Sequence, residues 1–411
     1  MQQTINACAD KLAEKLISLS ESKEAIAVGG HTAAFTMDVI ASTAFGVDVD
    51  ASSNPDHPFV YHSKPFLGLA KSEQFFIKSL QIIRVILIVL LPRKVKEIFG
   101  RFFDMTFAGQ ESMSYFENLV NRVLDLKRED AQKRNDFLSM CIDNMVDIKD
   151  VHKDSINISD GKNLDNPRVY PVYLTGFSCE YNDYEQMHEI FKSNLCLGLT
   201  KEEVIGNAVI FLIAGYESTG ATLQNLFYLL AWYPEIQEKL YTLTSEISDE
   251  DGNCDYEELQ KLEYLECCIL ETLRLFPPLP RLDRVANKDV TVKGIRIPKD
   301  MIVEFQVYAL QHDPKYWPEP ELFRPERFSS ENKDEFNQYA FLSFGAGNRA
   351  CIGKRLAMLE LKVAIAKTLK MVKFEKGANT PRMENLTYKK GPGLIQTMEP
   401  LKVNIVKRQS E

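Results

Sequence analysis

The sequence predicts a mainly helical fold with a minor β region. Apolar residues recur at helical spacing from Gln2 to about Asp150. One helical pattern of 32 residues follows at 201–232, and segments rich in β-branched residues are short and lie at 289–305 and in the C-terminal tail. We expect these elements to form a single domain over residues 1–411.

The composition is that of a globular protein. Of the 411 residues, 45% are hydrophobic and 26% are charged, and the net charge of −9 gives no overall basic surface for nucleic acid. The eight cysteines include no CxxC pair, and the start of the sequence has no signal-peptide pattern. We therefore expect reduced thiols on the cytosolic side of a membrane.

The first part of the chain has the pattern of successive amphipathic helices. Asp10–Ile17 and Phe35–Phe45 have apolar residues at helical spacing, and Asn54–Pro58 breaks the pattern. No stretch reaches the ~20 apolar residues that a spanning helix needs, and the richest run, Ile82–Leu91, is about half that length. This run predicts either a buried core helix or a segment that dips into a membrane interface.

The middle of the chain combines a predicted loop with the longest predicted helix. Residues 151–199 are polar and without a sustained period, which indicates a loop insertion. Thr200 and Glu203 then form a capping box, and Tyr233–Pro234 ends the helix. The segment Ala214–Thr219 places a glycine and a carboxylate in mid-helix, and the glycine alone costs ~1 kcal/mol relative to alanine.

The last part of the chain mixes helices and strands. Helices continue to Phe276, and residues 313–328 are too rich in proline and aromatic residues for regular structure. The remaining predicted elements are strands at 289–293, 295–297 and 301–305 with a turn at Gly294, a glycine-bearing loop at 344–347, a helix at 352–372 and a β-rich tail.

One cysteine stands where this glycine loop enters the last helix. The positive end of a helix dipole lowers the pKa of a thiol, so Cys351 is expected to favour the thiolate. Glycines at 345, 347 and 353 would let the backbone approach a flat ligand, and Arg349 could pair with an anionic substituent. The alternative is a buried structural cysteine beside a helix cap.

Two further motifs carry opposite charges. Glu271 and Arg274 lie at i and i+3 on one helix face, which by itself indicates no more than a surface ion pair. Arg327 follows in the irregular segment Arg324–Phe328. If Glu271 is buried and bridges both arginines, it would lock this segment against the helix.

Taken together, these motifs resemble the cytochrome P-450 family of haem-thiolate monooxygenases. An acid-bearing long helix, ExxR, PERF and FxxGxRxCxG follow one another in the family's order across residues 200–370. The resemblance extends upstream through 36–40 and 45–46, and it is greatest to the animal microsomal branch of drug- and steroid-oxidising and thromboxane-synthase-like enzymes. The implied fold is that of the family, mainly α with minor β.

The resemblance implies a role for each motif residue. Cys351 would be the proximal thiolate ligand of the iron in haem b, and a thiolate favours O–O cleavage. Arg349 and Arg284 would pair with haem propionates. Glu271, Arg274 and Arg327 would be fold residues. The remaining implied cofactor contacts are Phe344 and Gly345 of the cysteine loop and Ala214 and Gly215 of the long helix, which would leave room for haem and oxygen.

Glu217 and Ser218 fall on the family's acid–alcohol pair, which relays protons to iron-bound oxygen. The alcohol is serine where threonine is usual, and Thr219 follows it. Serine lacks the methyl group that restricts the threonine rotamer, so we expect proton delivery to survive with a risk of uncoupled turnover that leaks peroxide.

The resemblance also implies partners and a location. Electrons would come from NADPH through an acidic flavoprotein reductase. Four basic residues beside the thiolate face would be either its docking site or a solvated helix face: Lys354, Arg355, Lys362 and Lys367. The substrate would be an apolar small molecule such as a steroid, lipid or xenobiotic. The enzyme would work at the cytosolic face of the endoplasmic reticulum membrane, with Ile82–Leu91 in contact with the bilayer.

The family usually has an anchor, first sheet strands, early helices and a WxxxR motif upstream of the matched region. None of these precedes residue 1, so the chain is expected to be an N-terminally truncated form. Three hypotheses remain: a monooxygenase, a haem-thiolate isomerase or synthase that acts on a peroxide without a reductase, and an inactive truncated isoform.

Overall fold

A computed structural model gives the architecture of most of the chain. It describes residues 2–22, 24–54, 56–63, 110–129, 137–143, 199–249, 253–332, 337–389 and 394–409. Two sequence predictions lie outside these residues: the apolar run Ile82–Leu91, and the insertion at 151–199 except for its last residue.

Helices dominate the described residues, as predicted, and the fold class of mainly α with minor β is confirmed. The helices are α1 (Gln2–Leu19), α2 (Gly29–Ile40), α3 (Pro58–Ser63), α4 (Gln110–Glu129), α5 (Phe137–Asp143), α6 (Lys201–Trp232), α7 (Pro234–Glu246), α8 (Tyr256–Lys261), α9 (Glu263–Leu275), α10 (Val307–Gln311) and α11 (Lys354–Met371). The strands are β1 (Ile26–Ala27), β2 (Leu282–Val285), β3 (Val290–Val292), β4 (Ile295–Ile297), β5 (Ile302–Phe305), β6 (Val372–Glu375) and β7 (Lys402–Lys407).

The strands form three small antiparallel sheets. β3 and β4 make a hairpin whose turn is at Gly294, where φ is +81°. This left-handed conformation is open to glycine without steric cost. β2 pairs with β5, and β7 lies between β1 and β6. The sequence predicted β3, β4 and β5 but missed β2, because a four-residue strand with two charged residues has no β-branched pattern.

The predicted start of α6 is confirmed in atomic detail. The backbone N–H of Thr200 donates to Glu203 Oε2 over 2.9 Å, and the N–H of Glu203 donates to Thr200 Oγ1 over 3.3 Å. These reciprocal bonds satisfy two of the free amide groups of the first helical turn.

The chain divides into two compact units. Of the described residues, the first unit comprises those up to 39 and those from 218 onward, and the second comprises those between 40 and 217. The division falls inside α6, between Glu217 and Ser218. The assignment of a single domain to residues 1–411 stays a prediction.

The core of the first unit surrounds the second half of α6. Leu226–Leu230 are fully buried there, together with apolar residues of α1, α9 and α11. Phe227 stacks on Phe374 of β6, with ring centroids 4.2 Å apart. Helix α1 packs along α11.

The second unit has an aromatic cluster of its own. Phe59 makes edge-to-face contacts with Phe45 and Phe116, at centroid distances of 5.7 and 5.5 Å. Phe137 stacks on Phe211 of α6 at 4.0 Å. Offset and edge-to-face pairs of this kind stabilise a core beyond the area that they bury.

One described helix, Glu203–Trp232, is long and apolar enough to cross a membrane by length and composition. This differs from the expectation that no stretch reaches the ~20 apolar residues that a spanning helix needs. The burial of Leu226–Leu230 in the core of the first unit accounts for the apolar second half of the helix.

Gly220 of α6 is one point of close approach to α2, and its replacement by alanine tests this contact. A Cβ at 220 would lie 3.0 Å from Thr36 Oγ1 and 3.2 Å from the Ala33 Cα. Overpacking costs ~1–3 kcal/mol and the gain in helix propensity is ~1 kcal/mol, so we expect Gly220→Ala to be destabilising by ~1 kcal/mol. Urea denaturation would measure the change.

Gly206→Ala is the matched control for this prediction, because it lies in the same helix. A Cβ at 206 would meet no atom within 4 Å, so we expect stability to rise by up to ~1 kcal/mol. If both variants are stabilised, the close approach of α2 at Gly220 does not limit stability.

Candidate functional site

The cysteine loop is held in shape by its own backbone. Gly345 and Gly347 both have a φ of +69°, in the left-handed region that favours glycine. The Gly345 N–H donates to the Leu342 carbonyl over 2.8 Å, and the Cys351 N–H donates to the Phe344 carbonyl over 2.7 Å. These bonds close the loop and place Cys351 just before the first turn of α11.

Cys351 differs from the other cysteines that the structure describes. Cys8, Cys141, Cys254, Cys267 and Cys268 are buried, whereas Cys351 is exposed. The alternative of a buried structural cysteine is therefore wrong. The expectation of reduced thiols stays a prediction.

The prediction of a lowered pKa for Cys351 is also wrong. Although the residue reaches the surface, neighbouring protein atoms partly desolvate the sulfur, and this desolvation raises the pKa of the thiol. The N–H groups of Gly353 and Lys354 and the Lys354 charge act in the opposite direction but do not outweigh it. The helix N-terminus alone therefore does not hold Cys351 as a thiolate, whereas coordination of a metal cation displaces a thiol proton.

Strand β2 brings Arg284 to the neighbourhood of this loop. The Leu282 Cδ1 lies 3.8 Å from the position of a Cβ at Gly345, so β2 packs against the loop. Arg284 is half-buried, and its guanidinium donates to the Asp283 carbonyl over 2.8 Å. No carboxylate of a described residue forms an ion pair with Arg284. Arg349 lies on the loop itself and is exposed.

The residues of this loop fit a flat, thiolate-bound group. The sulfur of Cys351 is the only strong metal donor in the loop, and the residue is open at the surface. A Cβ at 347 would meet no atom within 4 Å, whereas a Cβ at 353 would lie 4.0 Å from the Cys351 sulfur. A side chain at 353 would therefore occupy space beside the Cys351 sulfur, and a bound ligand needs that space.

The acid–alcohol pair lies on consecutive positions of α6. Glu217 and Ser218 are half-buried, whereas Thr219 is buried, so the serine is the more accessible of the two alcohols. The Ser218 carbonyl accepts a hydrogen bond from Thr222 Oγ1 over 2.8 Å. Burial, assisted by the charge of Glu217, raises the pKa of the preceding Tyr216 to about 12, so this phenol stays protonated at neutral pH.

The structure gives a reason for a glycine at 215 that differs from the haem-side role implied by the resemblance. A Cβ at 215 would lie 2.6 Å from Ile40 Cδ1, so the glycine allows the end of α2 to pack against α6 in the second unit. The neighbouring Ala214 is exposed. The haem-side role of both residues stays a prediction.

Glu271 and Arg274 form a buried pair, and the surface ion pair suggested by the motif alone is wrong. Both side chains are fully buried, with Arg274 Nε 2.8 Å from Glu271 Oε2. The Glu271 Oε1 also accepts from Arg327 Nε at 3.3 Å and from the Arg324 N–H at 3.0 Å. The carboxylate thus bridges two arginines, as the resemblance implied, and fixes the irregular segment against α9.

Two of the four predicted docking residues are not at the surface. Lys362 is fully buried and lies 2.8 Å from Glu266 of α9, and Lys367 is 4% exposed and lies 2.6 Å from Asp10 of α1. Both lysines form ion pairs that connect α11 to α9 and α1, so their assignment to a docking surface is wrong. Lys354 and Arg355 are exposed.

One residue that connects α9 to the cysteine loop was not identified from the sequence. Gln311, at the end of the five-residue helix α10, is fully buried and bonds to both α9 and the start of the cysteine loop. Glutamine is usually exposed, and the residue stands in no recognisable motif, so no signal in a single sequence would have found it.

Comparison with known proteins agrees with the motifs. A model of the cytochrome P-450 family matches residues 184–405. The chain is 32% identical over 406 residues to cytochrome P-450 3A9 of Rattus norvegicus, covering 98% of this chain and 69% of that protein. It is 32% identical over 400 residues to cytochrome P-450 3A29 of Sus scrofa, covering 97% and 68%. It is 34% identical over 376 residues to thromboxane-A synthase of Sus scrofa, covering 90% and 66%.

Proposed function

The chain belongs to the cytochrome P-450 family, and from this premise we propose that Cys351 holds the haem iron in this protein. The family uses haem b with an axial cysteine thiolate, and the cytochrome P-450 3A relatives are haem monooxygenases. When bound, haem supplies the iron that activates dioxygen, and the thiolate ligand favours O–O cleavage. The observation that carries the assignment is the exposure of Cys351 at the end of a closed glycine loop.

The neighbours of Cys351 would orient the porphyrin. Arg349 and Arg284 supply guanidinium groups that suit carboxylates, and the position of β2 beside the loop supports a shared role. Phe344 and Gly345 offer an aromatic ring and bare backbone for contact with the ring face. These four residues are proposed as the cofactor contacts of the loop side.

Glu217 and Ser218 are proposed to hold and pass the protons that oxygen reduction consumes, with Ser218 Oγ as the last donor. This assignment rests on the motif, and the accessibility of Ser218 compared with Thr219 supports the choice of alcohol. Ala214 and Gly215 are proposed to leave room for haem and oxygen beside the pair.

Family members act on apolar substrates with electrons from a redox partner. For this chain we propose an NADPH-dependent flavoprotein reductase as the partner, with the exposed cations Lys354 and Arg355 beside Cys351 as its contacts. We further propose a steroid, lipid or xenobiotic as the substrate. The proposed location is the cytosolic face of the endoplasmic reticulum membrane, with Ile82–Leu91 in contact with the bilayer.

The assignment of Cys351 is tested by the spectrum of the reduced, carbon-monoxide-treated protein. We expect one haem per chain and the red-shifted Soret band of a thiolate complex. Cys351→Ser should abolish this band, because the serine hydroxyl does not replace a thiolate donor. Cys141→Ala, in a buried cysteine of the second unit, should keep it.

Two results would contradict this proposal. A Cys351→Ser protein that keeps the thiolate band would assign the ligand to another cysteine. A wild-type chain that is supplied with haem and retains none would favour the inactive isoform.

A peroxide isomerase or synthase is the second candidate function. It is favoured by the 34% identity to thromboxane-A synthase. The retention of Glu217 and Ser218 argues for the monooxygenase, because a peroxide substrate brings its own activated oxygen. Turnover of an endoperoxide without NADPH or reductase would favour the isomerase, and NADPH-dependent oxygen insertion would favour the monooxygenase.

A further inference from the structure

We propose that Gln311 is a positioning residue that couples the buried Glu271–Arg274 pair to the cysteine loop and thereby sets the geometry of the thiolate ligand. Gln311 is fully buried, so its amide can be satisfied only by the protein. The proposal rests on the assignment of Cys351 as the haem ligand.

The amino group of Gln311 is bonded to α9. Its Nε2 donates to the Leu273 carbonyl over 3.1 Å and to the Arg274 carbonyl over 3.0 Å. These carbonyls belong to the last turn of α9, where no intrahelical donor is left for them. Both hydrogens of the amide are therefore used on this helix.

The amide oxygen of Gln311 is bonded to the start of the cysteine loop. Its Oε1 accepts from the Leu342 N–H over 2.9 Å and from Ser343 Oγ over 3.0 Å. Ser343 Oγ also lies 2.8 Å from the Leu273 carbonyl, so the hydroxyl reinforces the same junction. One side chain thus connects the end of α9 to two consecutive loop residues.

Three hydrogen bonds then lead from Gln311 to the proposed ligand. Gln311 Oε1 accepts from the Leu342 N–H, and the Leu342 carbonyl accepts from the Gly345 N–H. The Gly345 N–H belongs to the same planar peptide unit as the Phe344 carbonyl, which accepts from the Cys351 N–H. A shift of Leu342 would therefore move the acceptor of the Cys351 N–H. The position of the sulfur depends on this connection.

The main chain of Gln311 joins the ion pair to the same junction. Its carbonyl accepts from Arg274 Nη1 over 2.8 Å, while Arg274 Nε is bonded to Glu271. The buried pair therefore fixes α10 through Arg274, and α10 fixes the loop through Gln311. This gives the ion pair a route by which it affects the ligand without touching it.

Gln237 offers a matched control in the same unit. It too is fully buried, and its Nε2 donates to the Leu230 and Phe374 carbonyls over 3.1 and 2.8 Å. Its Oε1 accepts from the Phe374 N–H over 2.8 Å. It connects the end of α6 to β6, and neither of these elements carries the cysteine loop.

The experiment compares Gln311→Leu and Gln237→Leu in the full chain loaded with haem. Two quantities are measured: the thiolate fraction of the carbon-monoxide Soret band, and the rate of haem transfer to excess apomyoglobin. With buried polar groups left unsatisfied, we expect Gln311→Leu to accelerate haem transfer about tenfold and to lower the thiolate fraction. Gln237→Leu should lower the urea midpoint while leaving the thiolate fraction unchanged.

A second variant decides the outcome if Gln311→Leu fails to fold. Ser343→Ala removes only the hydroxyl at the loop side, and we expect about threefold faster haem transfer with a smaller loss of the thiolate fraction. Equal effects of Gln311→Leu and Gln237→Leu on the thiolate fraction would overturn the proposal. If Gln311→Leu does not fold, a Ser343→Ala protein with the wild-type thiolate fraction and haem-transfer rate would overturn it. A wild-type chain without the thiolate band would refute the Cys351 assignment instead, before any variant is compared.

Discussion

Replacing Glu271 with glutamine is expected to lower the free energy of unfolding by about 3–5 kcal/mol and to reduce haem retention. The reason is the burial of its partner. Arg274 is fully buried, and its Nε and Nη2 each donate to one oxygen of the Glu271 carboxylate over 2.8 Å. A neutral amide in place of Glu271 leaves this guanidinium charge without a counter-charge inside the protein.

The effect is large because several elements depend on the same carboxylate. Glu271 Oε1 also accepts from the Arg324 N–H and from Arg327, so the irregular segment loses its attachment to α9. Arg274 would keep only neutral acceptors for its positive charge, besides the new amide. These are the carbonyls of Gln311, Pro320 and Leu322. A loss of this size is a substantial part of the ~5–15 kcal/mol that stabilises an ordinary protein.

Glu319→Gln is the matched control for Glu271→Gln. Glu319 pairs with Arg324 at 2.9 Å, but both side chains are about half exposed or more. Exposed pairs are worth ~0–1 kcal/mol, so this variant should stay close to the wild type. Urea denaturation and the haem-to-protein ratio would be measured for both. Equal stability losses in the two variants would show that burial does not set the strength of the Glu271 pair.

Glu360 of α11 is expected to make the wild-type protein less stable as the pH rises. The carboxyl group is 2% exposed, and its Oε2 finds no hydrogen-bond partner among the described residues. Burial raises the pKa of Glu360 well above its ordinary value of 4.5. The folded protein therefore keeps this proton at a pH where the unfolded chain has released it.

The sign of the pH dependence follows from this difference. Below pH 4.5 both states are protonated, and the group imposes no penalty. Above it the unfolded state binds fewer protons than the folded state, so the free energy of unfolding falls by ~1.4 kcal/mol per pH unit until the folded pKa is reached. We expect Glu360→Gln to remove this slope, and denaturation between pH 5 and 8 would measure it.

The control for Glu360 is Glu375→Gln in β6, where the carboxylate is exposed and lies 3.8 Å from Lys373. This variant should keep the wild-type pH dependence. If Glu360→Gln keeps it as well, the buried carboxyl group is not the source of the slope.

Much of the local structure could be predicted because its causes are local. Thr200 and Glu203 are three residues apart, and their capping box forms wherever the helix starts. Gly294 makes its turn between two strands that are adjacent in the sequence. The cysteine loop was recognised because Gly345, Gly347 and Cys351 lie within seven consecutive residues.

The predictions that failed concern environments built by distant segments. Lys362 and Lys367 look like surface cations on a helix, but α9 and α1 cover them and supply Glu266 and Asp10. The pKa of Cys351 depends on the water that surrounding atoms exclude, and a helix-dipole argument does not contain that quantity.

The sequence by itself determined the mainly helical class, the ends of α6, the candidate ligand Cys351 and the membership of a family of haem enzymes. The helical class and the ends of α6 follow from residue type and spacing along the chain, whereas the candidate ligand and the family follow from the resemblance of the motifs. Only the tertiary structure decided that Glu271 and Arg274 are buried, that Gln311 connects them to the cysteine loop and that Glu360 has an unsatisfied oxygen. Burial and hydrogen-bond partners come from segments tens of residues away, and the free energy of a charge depends on them more than on its neighbours in sequence.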